Sequence, residues 1–148
     1  PHPPAHTPHD HRHHRLGHLP LTHVPTTTDK QHRISGAHLR VQREYLGLTR
    51  SQLAEIWGMN PGTLALWEAG TDPTPYNLGE RIDALLQTTN AHLDALARTH
   101  RAGDTCLTYR SDKDYRQHHP DGPYTASWHR ALCGRLLAQI PGLTVEFR

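Results

Sequence analysis

The sequence predicts a mainly α protein in which a bundle of short helices is followed by a small α+β unit. Three observations carry that expectation. Residues 46–70, LGLTRSQLAEIWGMNPGTLALWEAG, hold two apolar stripes at helical spacing, separated by Gly58. From residue 76, Leu78, Ile82, Leu85, Leu86, Leu93 and Leu96 continue the same period to about residue 101. Beyond residue 105 the pattern changes, and TCLTYR and LTVEF read as strands on either side of helical residues.

The chain divides into three parts, residues 1–33, 34–90 and 91–148. The first is Pro, His and Thr with almost no apolar periodicity. It cannot bury enough surface to offset its ordering entropy, and it is expected to be disordered. His9, His11, His13 and His14 are the kind of tract that catches metal, but no fixed Cys or carboxylate ligand accompanies them. Arg12 and Arg15 offer a basic arm that follows phosphates or a minor groove. Because the chain opens on Pro1 rather than Met, its native start is expected to lie upstream. A first helix is expected over residues 36–46, with Leu39, Val41, Tyr45 and Leu46 as its apolar contacts.

Within residues 46–70, Thr49 suits the cap of a helix bearing Leu53, Ala54 and Trp57, which Gly58 ends. Met59 is an apolar plug and Asn60 caps a second helix. Pro61 takes that helix's first position, where its fixed φ fits and its missing N–H costs nothing. Leu64 and Trp67 form the buried stripe, and Gly70 stops the helix. Two helices joined by so short a turn form the helix-turn-helix arrangement, whose second helix enters the DNA major groove. The order Leu-Gly-Leu-Thr, Gln-Leu-Ala, Gly, Asn, Thr-Leu and Trp-Glu-x-Gly resembles the Cro/C1-type (XRE) helix-turn-helix of phage repressors and bacterial regulators. An αα-hairpin in a helical core would share the spacing but rarely all of these features. The resemblance implies a structural ion pair between Arg43 on the first helix and Glu68 near the end of the third.

After turn formers at residues 71–75 comes a long amphipathic helix, or two helices with a break near residues 88–90. Leu93, Leu96 and Ala97 make its second half too apolar to stay exposed, so it lies under the C-terminal segment or meets another chain. Ser111 can cap a short helix carrying Tyr115, and residues 118–123 form a turn-rich loop. Ser127 or Thr125 caps a helix with Trp128, Leu132, Leu136 and Leu137 on one side. The YRSDKDY run, the Pro-Asp-Gly turn and the Trp128 helix resemble the C-terminal half of the YdiL-like helix-turn-helix proteins, a group that includes anti-CRISPR-associated repressors. That resemblance implies a homodimer held by the C-terminal half and bound to an inverted repeat upstream of its own operon. The expected dimerisation residues are Leu93, Leu96, Trp128, Leu132, Val145 and Phe147.

Catalytic signals are absent. His118, His119 and His129 with Asp121 invite a metal or acid/base reading, but there is no HExxH, no Cys pair at ligand spacing and no third ligand of fixed position. Cys133 and His129 would share a helix face, where a lone Cys is ordinarily packing. No Gly-rich phosphate loop or Ser nucleophile motif occurs, so no enzyme, no cofactor and no metal is expected. Cys106 and Cys133 are read most simply as reduced thiols of a cytoplasmic protein, with a single bridge left open. No apolar run approaches a membrane span.

Charge qualifies the nucleic-acid reading. The whole chain carries 16 Lys and Arg against 14 Asp and Glu, and residues 36–100 hold five Arg and seven Asp or Glu. A protein bound by charge alone would look different, so affinity for double-stranded DNA should rest on a dimer and on specific fit. Arg50 sits where a helix N-terminus meets a phosphate, with Gln52 beside it and Arg40 in support. At the reading positions Pro61, Gly62 and Leu66 cannot donate to a base edge. Asn60 and Thr63 are the polar readers, Leu66 can touch a thymine methyl, and Gly62 lets the backbone approach. DNA shape should then supply much of the selectivity. The expected function is an autoregulatory repressor. The alternatives are an antitoxin-type regulator whose α+β half binds a toxin, and a protein-interaction module with a degenerate helix-turn-helix.

Overall fold

A computed structural model describes residues 32–148. The expectations placed on residues 1–31, disorder and the basic arm at Arg12 and Arg15 among them, lie outside the described residues. In chain order the elements are α1 (Gly36–Tyr45), α2 (Arg50–Trp57), α3 (Pro61–Ala69), α4 (Leu78–Thr99), β1 (Thr105–Thr108), α5 (Asp112–His118), α6 (Ala126–Gln139) and β2 (Thr144–Phe147). The architecture is mainly helical, with a small two-stranded sheet in the C-terminal part.

Local chemistry sets the helix boundaries. Ser35 Oγ accepts from His38 N at the start of α1, and Gly47 turns the chain out of it at φ 70°. Thr49 and Gln52 cap α2 reciprocally: Thr49 Oγ1 accepts from Gln52 N at 3.1 Å, and Gln52 Oε1 accepts from Thr49 N at 2.9 Å. Gly58 and Gly70 close α2 and α3 in the left-handed region. Of the two candidate caps for α6, Thr125 takes the role, its hydroxyl accepting from Trp128 N.

α4 runs unbroken through residues 88–90, because the polar residue at its middle is used twice. The Thr89 hydroxyl donates to Leu85 O at 2.7 Å and accepts from the indole N–H of Trp128 at 3.0 Å. Leu78, Ile82 and Leu85 from the first half of α4 belong to one buried core with Leu39, Leu53 and Leu64 of α1–α3, and α4 also packs on α6. The boundary drawn after residue 90 therefore falls inside a helix that both halves share.

Leu93, Trp128 and Leu132, expected at a dimer surface, are each 2% exposed and fill this chain's own core. Leu96 and Val145 are half-buried against the same core, while Phe147 is 47% exposed beneath the Arg110 guanidinium.

β1 and β2 pair in parallel, Thr105 opposite Thr144 through Thr108 opposite Phe147, with α5 and α6 as the crossover. Behind β1 lies a buried polar and aromatic layer. Thr108 Oγ1 and His129 Nδ1 share a hydrogen bond of 2.8 Å, Tyr109 OH bonds His119 Nε2, and Tyr115 OH donates to Pro123 O.

Burial pushes His129 down to about 4, with the nearby His119 and His92 acting in the same direction. An imidazole in the unfolded chain titrates near 6.5, so protonation below that pH favours the unfolded chain. The stability due to this ring is full above about pH 6.5 and is lost as pH falls toward 4, by about 3 kcal/mol. Urea midpoints measured across this window should fall with pH, and His129→Gln should flatten the fall. An identical slope in the variant would remove His129 as the cause.

Candidate nucleic-acid interface

α2 and α3 are joined through Gly58, Met59 and Asn60, and α3 also rests on α1. The joint between α1 and α3 is made close by Gly36, where a methyl would overlap the carbonyl oxygen of Trp67. Inside it sits Arg43, only 7% exposed. Its Nε donates to Glu68 Oε2 at 2.9 Å and its Nη2 to Glu68 Oε1 at 2.8 Å, a bidentate fork. The third nitrogen, Nη1, donates to Leu48 O at 2.9 Å, which ties in the loop between α1 and α2. Leu64 is fully buried and Trp67 half-buried, so α3 turns a face carrying Pro61, Gly62 and Leu66 to solvent. Thr63 is half-buried on the same helix. Arg50 is exposed at the start of α2, with no hydrogen-bond or ion-pair partner among the described residues.

Residues 36–96 match the family model of a helix-turn-helix domain. Among curated proteins none matches the chain. The matched stretch covers α1–α3 and all but the last turn of α4, and it points to a DNA-binding regulator. No helix among the described residues is long and apolar enough to cross a membrane.

The remaining sequence-derived residues are differently disposed. Asn60 Oδ1 accepts from Gly62 N at 2.7 Å, so its acceptor is spent on the α3 cap. Gln52 Oε1 is engaged in the α2 capping box and also accepts from Ser127 Oγ of α6. Arg40 lies on the exposed side of α1, paired with Glu44 at 2.8 Å. Among the described residues, the side chains of Arg50, Thr63 and Leu66 are engaged in no such bond. In the C-terminal part His118, His119 and His129 bond Asp114 O, Tyr109 OH and Thr108 Oγ1 respectively. No group of three or more His, Cys, Asp or Glu side chains among the described residues is placed to hold a metal.

Two features of the site escape a motif-based reading. Arg81 Cζ lies 4.6 Å above the Trp57 ring, bracing the end of α2 from α4. The Gln52 to Ser127 bond joins the domain to α6. Thr-x-x-Gln at residues 49–52 is a legible capping box, but the second donor to its Gln52 Oε1, the Ser127 hydroxyl, comes from 75 residues away and leaves no sequence signal.

Arg43→Met would leave Glu68 buried without a partner and Leu48 O without a donor. A loss of about 3–5 kcal/mol is expected. Arg43→Met with Glu68→Leu should recover most of it, because an apolar pair of similar volume carries no stranded charge. Urea unfolding of the two variants measures this, and a double variant as weak as the single one would contradict it.

Proposed function

We propose that this protein is a sequence-specific transcriptional repressor that occludes its own promoter as a homodimer on an inverted repeat, in the manner of the Cro/C1-type and YdiL-like regulators that its sequence resembles. The observation that carries the reading is the helix-turn-helix domain, with α3 turning Pro61, Gly62 and Leu66 outward and Arg50 exposed at the start of α2. Arg50 contacts a phosphate, Thr63 and Leu66 meet base edges, and Gly62 allows close backbone approach. Asn60 and Gln52 act by holding their helix ends, and Arg40 adds charge at the margin. Such sparse direct readout leaves groove shape a large share of the specificity. The reaction is occupancy, and its setting is the cytoplasm.

The acidic balance of residues 36–100 favours a second reading, a protein-interaction module or antitoxin-like regulator whose C-terminal half binds a protein. A gel shift separates the two. The duplex upstream of the protein's own gene should be retarded at a salt concentration that releases an unrelated duplex of equal length. Arg50→Ala with Thr63→Ala should weaken that complex by about 100-fold, from roughly 1–3 kcal/mol at each contact. Unchanged binding in the double variant would show that α3 is not the reading helix.

For the dimer, the surfaces left by burial are Leu96, Val145 and Phe147, joined by exposed Leu107 and Leu137 beside the free edges of a two-stranded sheet. Light scattering at micromolar concentration should give twice the chain mass. A monomer would withdraw the support for two half-sites about 34 Å apart.

A further inference from the structure

Cys106 on β1 and Cys133 on α6 take no part in the interface above. Both are free thiols, 2% and 1% exposed, and their sulfurs lie 3.6 Å apart in the core. A disulfide needs about 2.05 Å, a gap that small side-chain rotations can close. His129 Nδ1 is 3.6 Å from Cys133 Sγ and faces the pair together with Thr108 Oγ1. The two sulfurs are not equivalent. The hydrogen bond from Cys133 draws the Cys106 thiol down to about 7, whereas the same bond and burial push Cys133 up. Neither thiol reaches solvent in the closed chain, so a reagent needs local opening, and two features favour it. A cleft of about 290 Å³ lined by His92, Leu96, Thr99, His119, His129 and Leu132 opens against the His129 ring. The covering sheet is a single pair of four-residue strands, the kind of element that opens locally.

We propose that Cys106 and Cys133 form a redox-active dithiol that a hydroperoxide closes to an intramolecular disulfide and a thiol reductant reopens. The Cys106 thiolate attacks one peroxide oxygen, the O–O bond breaks, and the departing hydroxide takes up a proton as water. Cys106 is then a sulfenic acid. Cys133 attacks the Cys106 sulfur as its own proton passes to the departing hydroxide. The S–O bond breaks, and that hydroxide leaves as a second water. Two electrons pass from the thiol pair to the peroxide. In reverse, two thiols of the reductant are oxidised to their own disulfide.

The test treats the full chain with hydrogen peroxide, alkylates remaining thiols under denaturing conditions and reads the intact mass. Expected is a monomer lighter by two hydrogens with neither Cys alkylated, a mapped Cys106–Cys133 peptide, and full alkylation after dithiothreitol. In Cys133→Ser a sulfenic acid should be trapped on Cys106 by dimedone, while Cys106→Ser should trap none on Cys133. Should a variant fail to fold, the mapped peptide from the unaltered chain decides. Both thiols still alkylated after peroxide, or bridges formed only between chains, would overturn the proposal.

Discussion

The guanidinium of Arg43 makes three segments distant in sequence agree with one another. A charge this deeply buried needs acceptors around its plane, and here each of its three nitrogens has one: two on the Glu68 carboxylate and one on the carbonyl of Leu48. The fork fixes direction as well as distance, so α3 can leave α1 at only one angle. Which face of α3 reaches solvent, and hence which side chains are offered to DNA, follows from that angle. A lysine would supply the charge without the geometry.

A second constraint joins the two halves. Trp128 is the largest residue in the C-terminal core, and its indole N–H must find an acceptor when buried. It finds the hydroxyl of Thr89, a residue otherwise poorly suited to the middle of a helix. That hydroxyl also returns a hydrogen bond to α4's own backbone, so the helix passes through the position without a break.

This exchange shows what was legible in the sequence. The α2–α3 pair could be read directly, because its determinants are local: Thr49, Gly58, Asn60, Pro61 and Gly70 act within a few residues of where they stand. The strands and the helices between them were legible for the same reason. Thr88-Thr-Asn90 was ambiguous because what keeps α4 whole is an indole 39 residues away. The apolar stripes of Leu93, Trp128 and Leu132 announced burial but not the burying partner, since an internal core and a contact between copies impose the same periodicity. The proximity of Cys106 to Cys133 likewise depends on the parallel crossover, which no spacing encodes.

Between the helix-turn-helix domain and α6 there is one place with no slack. Gly47, at φ 70°, lies where any Cβ would stand 2.8 Å from that of Ala131 and crowd the carbonyl of Ser127, and the Ser127 hydroxyl bonds Gln52 close by. The two halves are thus keyed together at the only residue type that fits, rather than strung on a linker. A protein hinged there could tolerate binding sites at varied separations. This one is a fixed gauge: if two copies join through their C-terminal halves, the distance between their reading helices is set in the protein. A base pair inserted between half-sites could then be absorbed only by distorting the DNA, in twist as well as in bend.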